Sequence, residues 1–146
     1  IEKLYQNLLR RLKWIVVDRI ETYNLLTEKG IFLTPTEKGH RLVDIASDLQ
    51  AEDIVLLDLR DLASFADYFV ILTATSSRQA RALREDMVKR FKESGVPLSH
   101  VEGMSGSGWQ LLDFGDVVVH IFGEAERDFY RLEDLWSRAN QVVRVQ

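Results

Sequence analysis

The sequence predicts an α/β domain, a mixed sheet of about five strands covered by helices, and three observations carry the prediction. Two short apolar runs, 53–59 and 68–73, are bounded by charged or turn residues, as buried strands are. Apolar residues at three-to-four spacing between and around these runs mark amphipathic helices. A Gly-rich stretch, Gly103-Met104-Ser105-Gly106-Ser107-Gly108-Trp109, leads into two further apolar runs that read as a hairpin.

In chain order, Leu4, Leu8, Leu12, Ile15, Ile20, Tyr23 and Leu26 line one face of a long helix ending near Gly30. This predicts a helical extension over 1–34, its stripe buried on the main domain, a second copy or a partner. One domain is expected over 35–146. Thr34-Pro35-Thr36-Glu37 has the makeup of a capping box with proline at the first helical position. The helix it opens would turn Leu42, Val43, Ile45, Ala46 and Leu49 inward and stop near Gln50 or Ala51. After the two strands, Ser76 can cap a helix running through Leu83, Met87 and Phe91 to Gly95, with Gln79 bonding back to Ser76. Val96–Glu102 can supply a short strand. Trp109–Asp113 and Asp116–Phe122, joined by Phe114-Gly115, form the hairpin, and a closing helix follows from Glu124 to about Ala139.

Composition narrows the function. The chain has 146 residues, 46% hydrophobic, with no apolar run near the roughly 20 residues of a membrane span. The start lacks a secretory-signal pattern, so a cytosol-like, cytoplasmic location is expected. Without cysteine there is no disulfide, thiolate metal site or cysteine nucleophile. The net charge is −4, and the acidic excess lies beyond residue 34. That disfavours sequence-specific nucleic-acid binding and suits a basic protein partner.

Motifs for catalysis are weak. GMSGSG reverses the dinucleotide fingerprint and precedes a strand rather than a helix, and no P-loop is present. Thr75, Ser76 and Ser77 could bind an anion through free amides, but capping accounts for them. A metal-dependent nucleotidyltransferase would need paired carboxylates, with Asp116 and Asp58 as candidates and the Ser76/Ser77 turn holding phosphates. Asp116 lacks a second acid two residues on, where Val118 stands, and His40, His100 and His120 are too far apart for a local metal motif. No metal and no cofactor are expected.

The hairpin says more. A two-residue Phe114-Gly115 turn sets Asp113 opposite Asp116, Leu111 opposite Val118 and Trp109 opposite His120, with Phe122 on the same face; a bulge at Gly115 would shift this register. Leu112, Val117, Val119 and Ile121 form the other, core face. An aromatic, an imidazole and two carboxylates on one face suit contact with a partner, unless a cation such as an arginine of a neighbouring helix answers the acids.

DIVLLDLRDLASFADYFVILTATSSRQARAL, followed by GSGWQLLDFGDVVVHIF and RDFYRLEDLW, resembles the Iojap family of ribosomal silencing factors over about residues 36–137. The resemblance implies a nucleotidyltransferase-like fold without the catalytic carboxylates, and a factor that is not an enzyme. It implies binding to the large ribosomal subunit through ribosomal protein L-fourteen, blocking small-subunit joining and repressing translation under nutrient limitation. In organellar relatives the same contact is tied to large-subunit assembly, and the resemblance also implies a possible homodimer, since family members form them. The contact surface it implies falls on Trp109, Asp113 and Asp116, with His120 and Phe122 beside them. Under this reading Trp109→Ala is expected to abolish binding and leave the fold intact. Residues 1–34 lie outside the pattern and could serve a separate assembly role.

Overall fold

The structure, a computed structural model, describes residues 33–103 and 106–146; the extension expected over 1–34 lies almost wholly outside the described residues. Helix α1, Pro35–Asp48, starts as expected: the Thr34 hydroxyl accepts from the Glu37 N–H, and the Glu37 carboxylate accepts from the Thr34 N–H at 2.8 Å. Strand β1, Glu52–Asp58, and strand β2, Tyr68–Ala74, follow the two apolar runs, and β2 is buried throughout. Helix α2, Ser77–Glu93, is capped by Ser76 and ends before Gly95. The Gln79 side chain reaches one residue further back than expected. Its oxygen accepts from the Thr75 N–H at 2.7 Å, and its nitrogen donates to the Leu49 and Gln50 carbonyls, tying α2 to the end of α1.

Strand β3, His100–Glu102, is short, β4 spans Trp109–Asp113 and β5 spans Val117–Gly123. The closing helix is broken. Helix α3, Glu124–Tyr130, stops at Arg131, whose φ of 45° is left-handed, and α4, Leu132–Leu135, resumes in a new direction. A sixth strand, β6, Asn140–Val145, was not expected from the sequence and completes a six-stranded sheet in the order β3-β4-β5-β2-β1-β6.

Only β2 and β5 run parallel; the other neighbours are antiparallel. α1 and α2 cover one face, where Leu42, Ala46, Leu83, Met87 and Phe91 meet Ile54, Leu56, Val70, Leu72 and Val119. On the opposite face Phe69, Ile71, Leu111, Val118 and Phe122 pack under Leu132, with Phe65, Tyr130 and Trp136 at the margin. Sheet residues are therefore apolar on both sides, which is why β1 and β2 read as continuous apolar runs. Among the described residues no helix is long and apolar enough to cross a membrane.

Candidate functional site

The hairpin register differs from expectation by two residues. Trp109 pairs with Phe122, Leu111 with His120 and Asp113 with Val118. The turn is Gly115-Asp116, not Phe114-Gly115: the Phe114 N–H donates to the Val117 carbonyl at 2.9 Å, and Gly115 takes the positive φ of 94°. The cause is tertiary. The Phe114 ring lies 4.7 Å from that of Phe91 in α2, so Phe114 belongs to the core and the turn moves past it. A slip of two leaves each side chain on its own face, so both predicted faces survive.

The facing acids separate. Asp113 is buried, and its carboxylate accepts from the Gly115 N–H at 2.7 Å, closing the turn on itself. Asp116 receives Lys38 of α1 at 2.9 Å, so the cation is a buried lysine rather than an arginine.

The expected contact face is largely roofed over. His120 and Phe122 have no exposure, because α3, α4 and the segment before β2 close over them. Of that face, Trp109 and, at the turn, Asp116 reach the surface, each half-buried. Its Nε1–H donates to His120 Nδ1 at 3.1 Å, and its ring lies 4.8 Å from Phe122 and 4.5 Å from Tyr130. Beneath it, Phe69 meets the His120 ring edge-on at 4.6 Å. Accepting at Nδ1 places the imidazole hydrogen on Nε2. Desolvation, then the charge of Arg127, lowers the His120 pKa to about 3, so the ring is neutral.

Trp109 is thus part anchor and part core. Trp109→Ala would leave His120 Nδ1 without its donor and open a cavity, at about 3 kcal/mol, so the variant is expected to lose stability along with any binding. The Gly-rich loop serves this tryptophan: at Gly103, with φ of 84°, a methyl group would overlap the Trp109 carbonyl oxygen. Trp109 meets Tyr130, whose ring lies 5.1 Å from that of Phe129, 57% exposed; Leu135 of α4 is exposed as well. Phe129 and Leu135 were read only as helix positions. The adjacent pair Phe129-Tyr130 gave no decisive signal, since adjacent apolar residues of one helix can both be buried, as Leu42-Val43 and Ile45-Ala46 of α1 are.

The nucleotidyltransferase constellation is not assembled. Asp58 and Asp116 lie at the end of the sheet where Tyr68 starts β2, whereas Ser76 and Ser77 follow its other end, roughly 20 Å away at about 3.3 Å per residue. Asp58 is also engaged by Arg60, with contacts of 3.0 and 2.6 Å, and this hydrogen bonding holds its carboxyl below the usual value. Among the described residues no group of three or more His, Asp or Glu could hold a metal ion.

The chain was compared with known proteins. A ribosomal silencing factor RsfS of Halalkalibacterium halodurans is 37% identical over 100 residues, covering 68% of this chain and 86% of that protein. The mouse (Mus musculus) protein named for mitochondrial assembly of the ribosomal large subunit is 32% identical over 99 residues, 66% of this chain and 43% of that longer protein. A crystal structure of a Chromobacterium violaceum protein superposes with a TM-score of 0.69 at 34% identity, covering 72% of this chain and 88% of that one. Residues 33–146 match the family described as ribosomal silencing factor during starvation, so β6 and the Trp109 face both fall within the matched span. By fold, by sequence and by the extent of the match, the chain belongs to the RsfS family of ribosomal silencing factors.

Proposed function

We propose that the protein is a non-catalytic factor that docks on the large ribosomal subunit through ribosomal protein L-fourteen, obstructs small-subunit joining and so represses translation under nutrient limitation. The reading places this activity in residues 35–146 and in a cytoplasmic compartment. The observation that carries it is Trp109: a half-buried tryptophan held by His120, Phe122 and Tyr130, with exposed Phe129 against Tyr130 in turn. A pre-set aromatic bordered by apolar neighbours is the usual makeup of an interface hot spot. Asp116, at the far end of the hairpin and bound to Lys38, contributes acidic rim, with buried Asp113 shaping its turn. An acidic and aromatic surface complements a basic ribosomal protein.

The test is co-sedimentation with purified large subunits, followed by addition of small subunits. Phe129→Asp changes only a surface ring, so its melting point should match wild type while binding weakens by at least about tenfold. Trp109→Ala should lose binding and part of its stability together. A wild-type chain that does not sediment with large subunits, or that sediments without lowering the yield of joined ribosomes, ends the silencing reading. Similarity to the mouse assembly protein supports a second reading, in which the same docking serves large-subunit assembly. Here residues 1–34, or a homodimer, would supply the additional contact, and full binding with undiminished subunit joining would favour this reading.

A further inference from the structure

The parallel pair β2 and β5 creates a feature that the docking reading uses only at Trp109. At their carboxyl ends the chain leaves toward opposite faces of the sheet: β2 passes through Ser76 into α2 on one face, and β5 passes through Gly123 into α3 on the other. Crevices at such a switch point are where open α/β sheets bind ligands. Here the crevice is a cavity of about 330 Å³, lined by residues of both helix starts, the Gly-rich loop, Trp109 and Gln110.

Its lining is polarised. On the α2 side, Ser76 Oγ accepts from the Gln79 N–H, and the Ala80 N–H bonds the Ser76 carbonyl. The N–H of Ser77, in the cavity lining, has no acceptor within the helix, and with the Ser76 and Ser77 hydroxyls it offers donors at the positive end of a helix of 17 residues. On the α3 side stand the carboxylates of Glu124 and Glu126, the latter lying against Gly108 and Gly123. Between them is Gln110. Its side chain is only 2% exposed, it lines the cavity, and its carboxamide oxygen has no hydrogen-bond partner among the described residues. A half-turn of the carboxamide exchanges its ends, so it can offer donor or acceptor to whatever enters.

A buried carboxamide oxygen left unpartnered costs stability, and a ligand-complementary role would account for it. The two walls select the ligand. Donors at α2 suit a carboxylate, carboxylates at α3 suit an ammonium group, and neither a nucleotide nor a lone cation satisfies both. We propose that this cavity binds a free α-amino acid, its carboxylate at the start of α2, its ammonium toward Glu124 and Glu126, and Gln110 pairing with it from the floor.

The inference shares Trp109 with ribosome docking, and it is tested on the free chain with variants that keep Trp109. The L-α-amino acids are added singly at about 10 mM, above the millimolar range expected of small ligands, while melting and calorimetric heat are followed. At least one should raise the melting point, and neither its carboxamide derivative, lacking the carboxylate, nor its deaminated acid should do so. Ser77→Pro removes a hydroxyl and an N–H at the first helical position, where proline is tolerated after the extended Ser76 with ψ of 159°. Gln110→Met removes the carboxamide. Both should weaken binding at least about tenfold, and Gln110→Met should leave the ligand-free chain as stable as wild type or more so. The proposal fails if no amino acid binds at that concentration, or if inorganic phosphate or adenosine stabilises the chain and amino acids do not. It fails equally if Gln110→Met destabilises the free chain while binding persists, which would make Gln110 a structural residue.

Discussion

A neutral imidazole sealed beneath Trp109 makes stability depend on pH in a definite direction. His120 has a folded pKa lowered from 6.5 to about 3, chiefly by loss of water and then by Arg127. Because the folded value lies below the unfolded one, the unfolded chain binds the proton first as the solution is acidified. The stability that comes from keeping His120 neutral is therefore complete above about pH 6.5 and drains as pH falls toward 3, by about 1.4 kcal/mol per unit. His120→Phe should flatten this slope between pH 6 and about 4 relative to wild type, at some cost at neutral pH from the lost Trp109 hydrogen bond. Equal slopes for the two chains in urea unfolding series would show that His120 is not the group responsible. Which face His120 occupies was legible in the sequence, because strand alternation has a period of two. Its burial was not, since the residues that cover it come from α3, α4 and the segment before β2.

At the scale of elements, the caps that rest on neighbouring residues were legible, Thr34 with Glu37 and Ser76 with the Gln79 N–H among them. The break between α3 and α4 was not. Arg131 adopts left-handed φ with no glycine to announce it, and the turn returns Leu132 and Trp136 to the sheet while Phe129 stays outside. What holds α3 in place is Arg127, which is buried. It donates to the Thr73 hydroxyl at 3.0 Å and to the Asp53 carbonyl at 2.9 Å, and it pairs with Glu133 of α4. One guanidinium thus joins both short helices to β1 and β2, through five donors in a fixed fork. Arg127→Met should cost about 3 kcal/mol, since the Thr73 hydroxyl and Asp53 carbonyl lose their donor and Glu133 its counter-charge. Arg127→Lys should recover less than half of that, because one ammonium cannot span all three partners. Chemical denaturation of the two variants reads this directly, and a cost below about 1 kcal/mol for Arg127→Met would reduce the residue to a surface pair.

For the whole molecule, the order of β1 to β5 and the β4–β5 hairpin followed from apolar runs and turn residues, whereas the parallel pairing of β2 with β5 came only with the structure, and β6 escaped because an edge strand carries little of that signal. In Asn140–Val145 only Val143 and Val145 pack on the core, and the remaining residues are exposed. Yet β6 closes the sheet. It pairs with β1 from Ile54 to Asp58, and Arg144 bonds Asp53 at 2.6 Å beside the irregular step in β1 between Glu52 and Val55. Remove it, and β1 becomes the edge: a strand whose Val55, Leu56 and Leu57 side chains are buried would present a full row of unpaired N–H and C=O groups. Native sheets guard such edges with charge, proline or bulges, and the stretch from Ile54 to Leu57 has neither charge nor proline. A chain ending after Ala139 should therefore melt lower and self-associate through β1 into species larger than the full chain forms at equal concentration. Size exclusion with light scattering, run beside thermal melts, distinguishes the outcomes. Association that is reversed by adding a Lys or Pro substitution at Leu57 would assign it to the exposed edge, because either residue blocks strand pairing without restoring β6. A truncated chain with unchanged melting point and unchanged size would mean that β1 is already protected and that β6 is an appendage to a five-stranded fold.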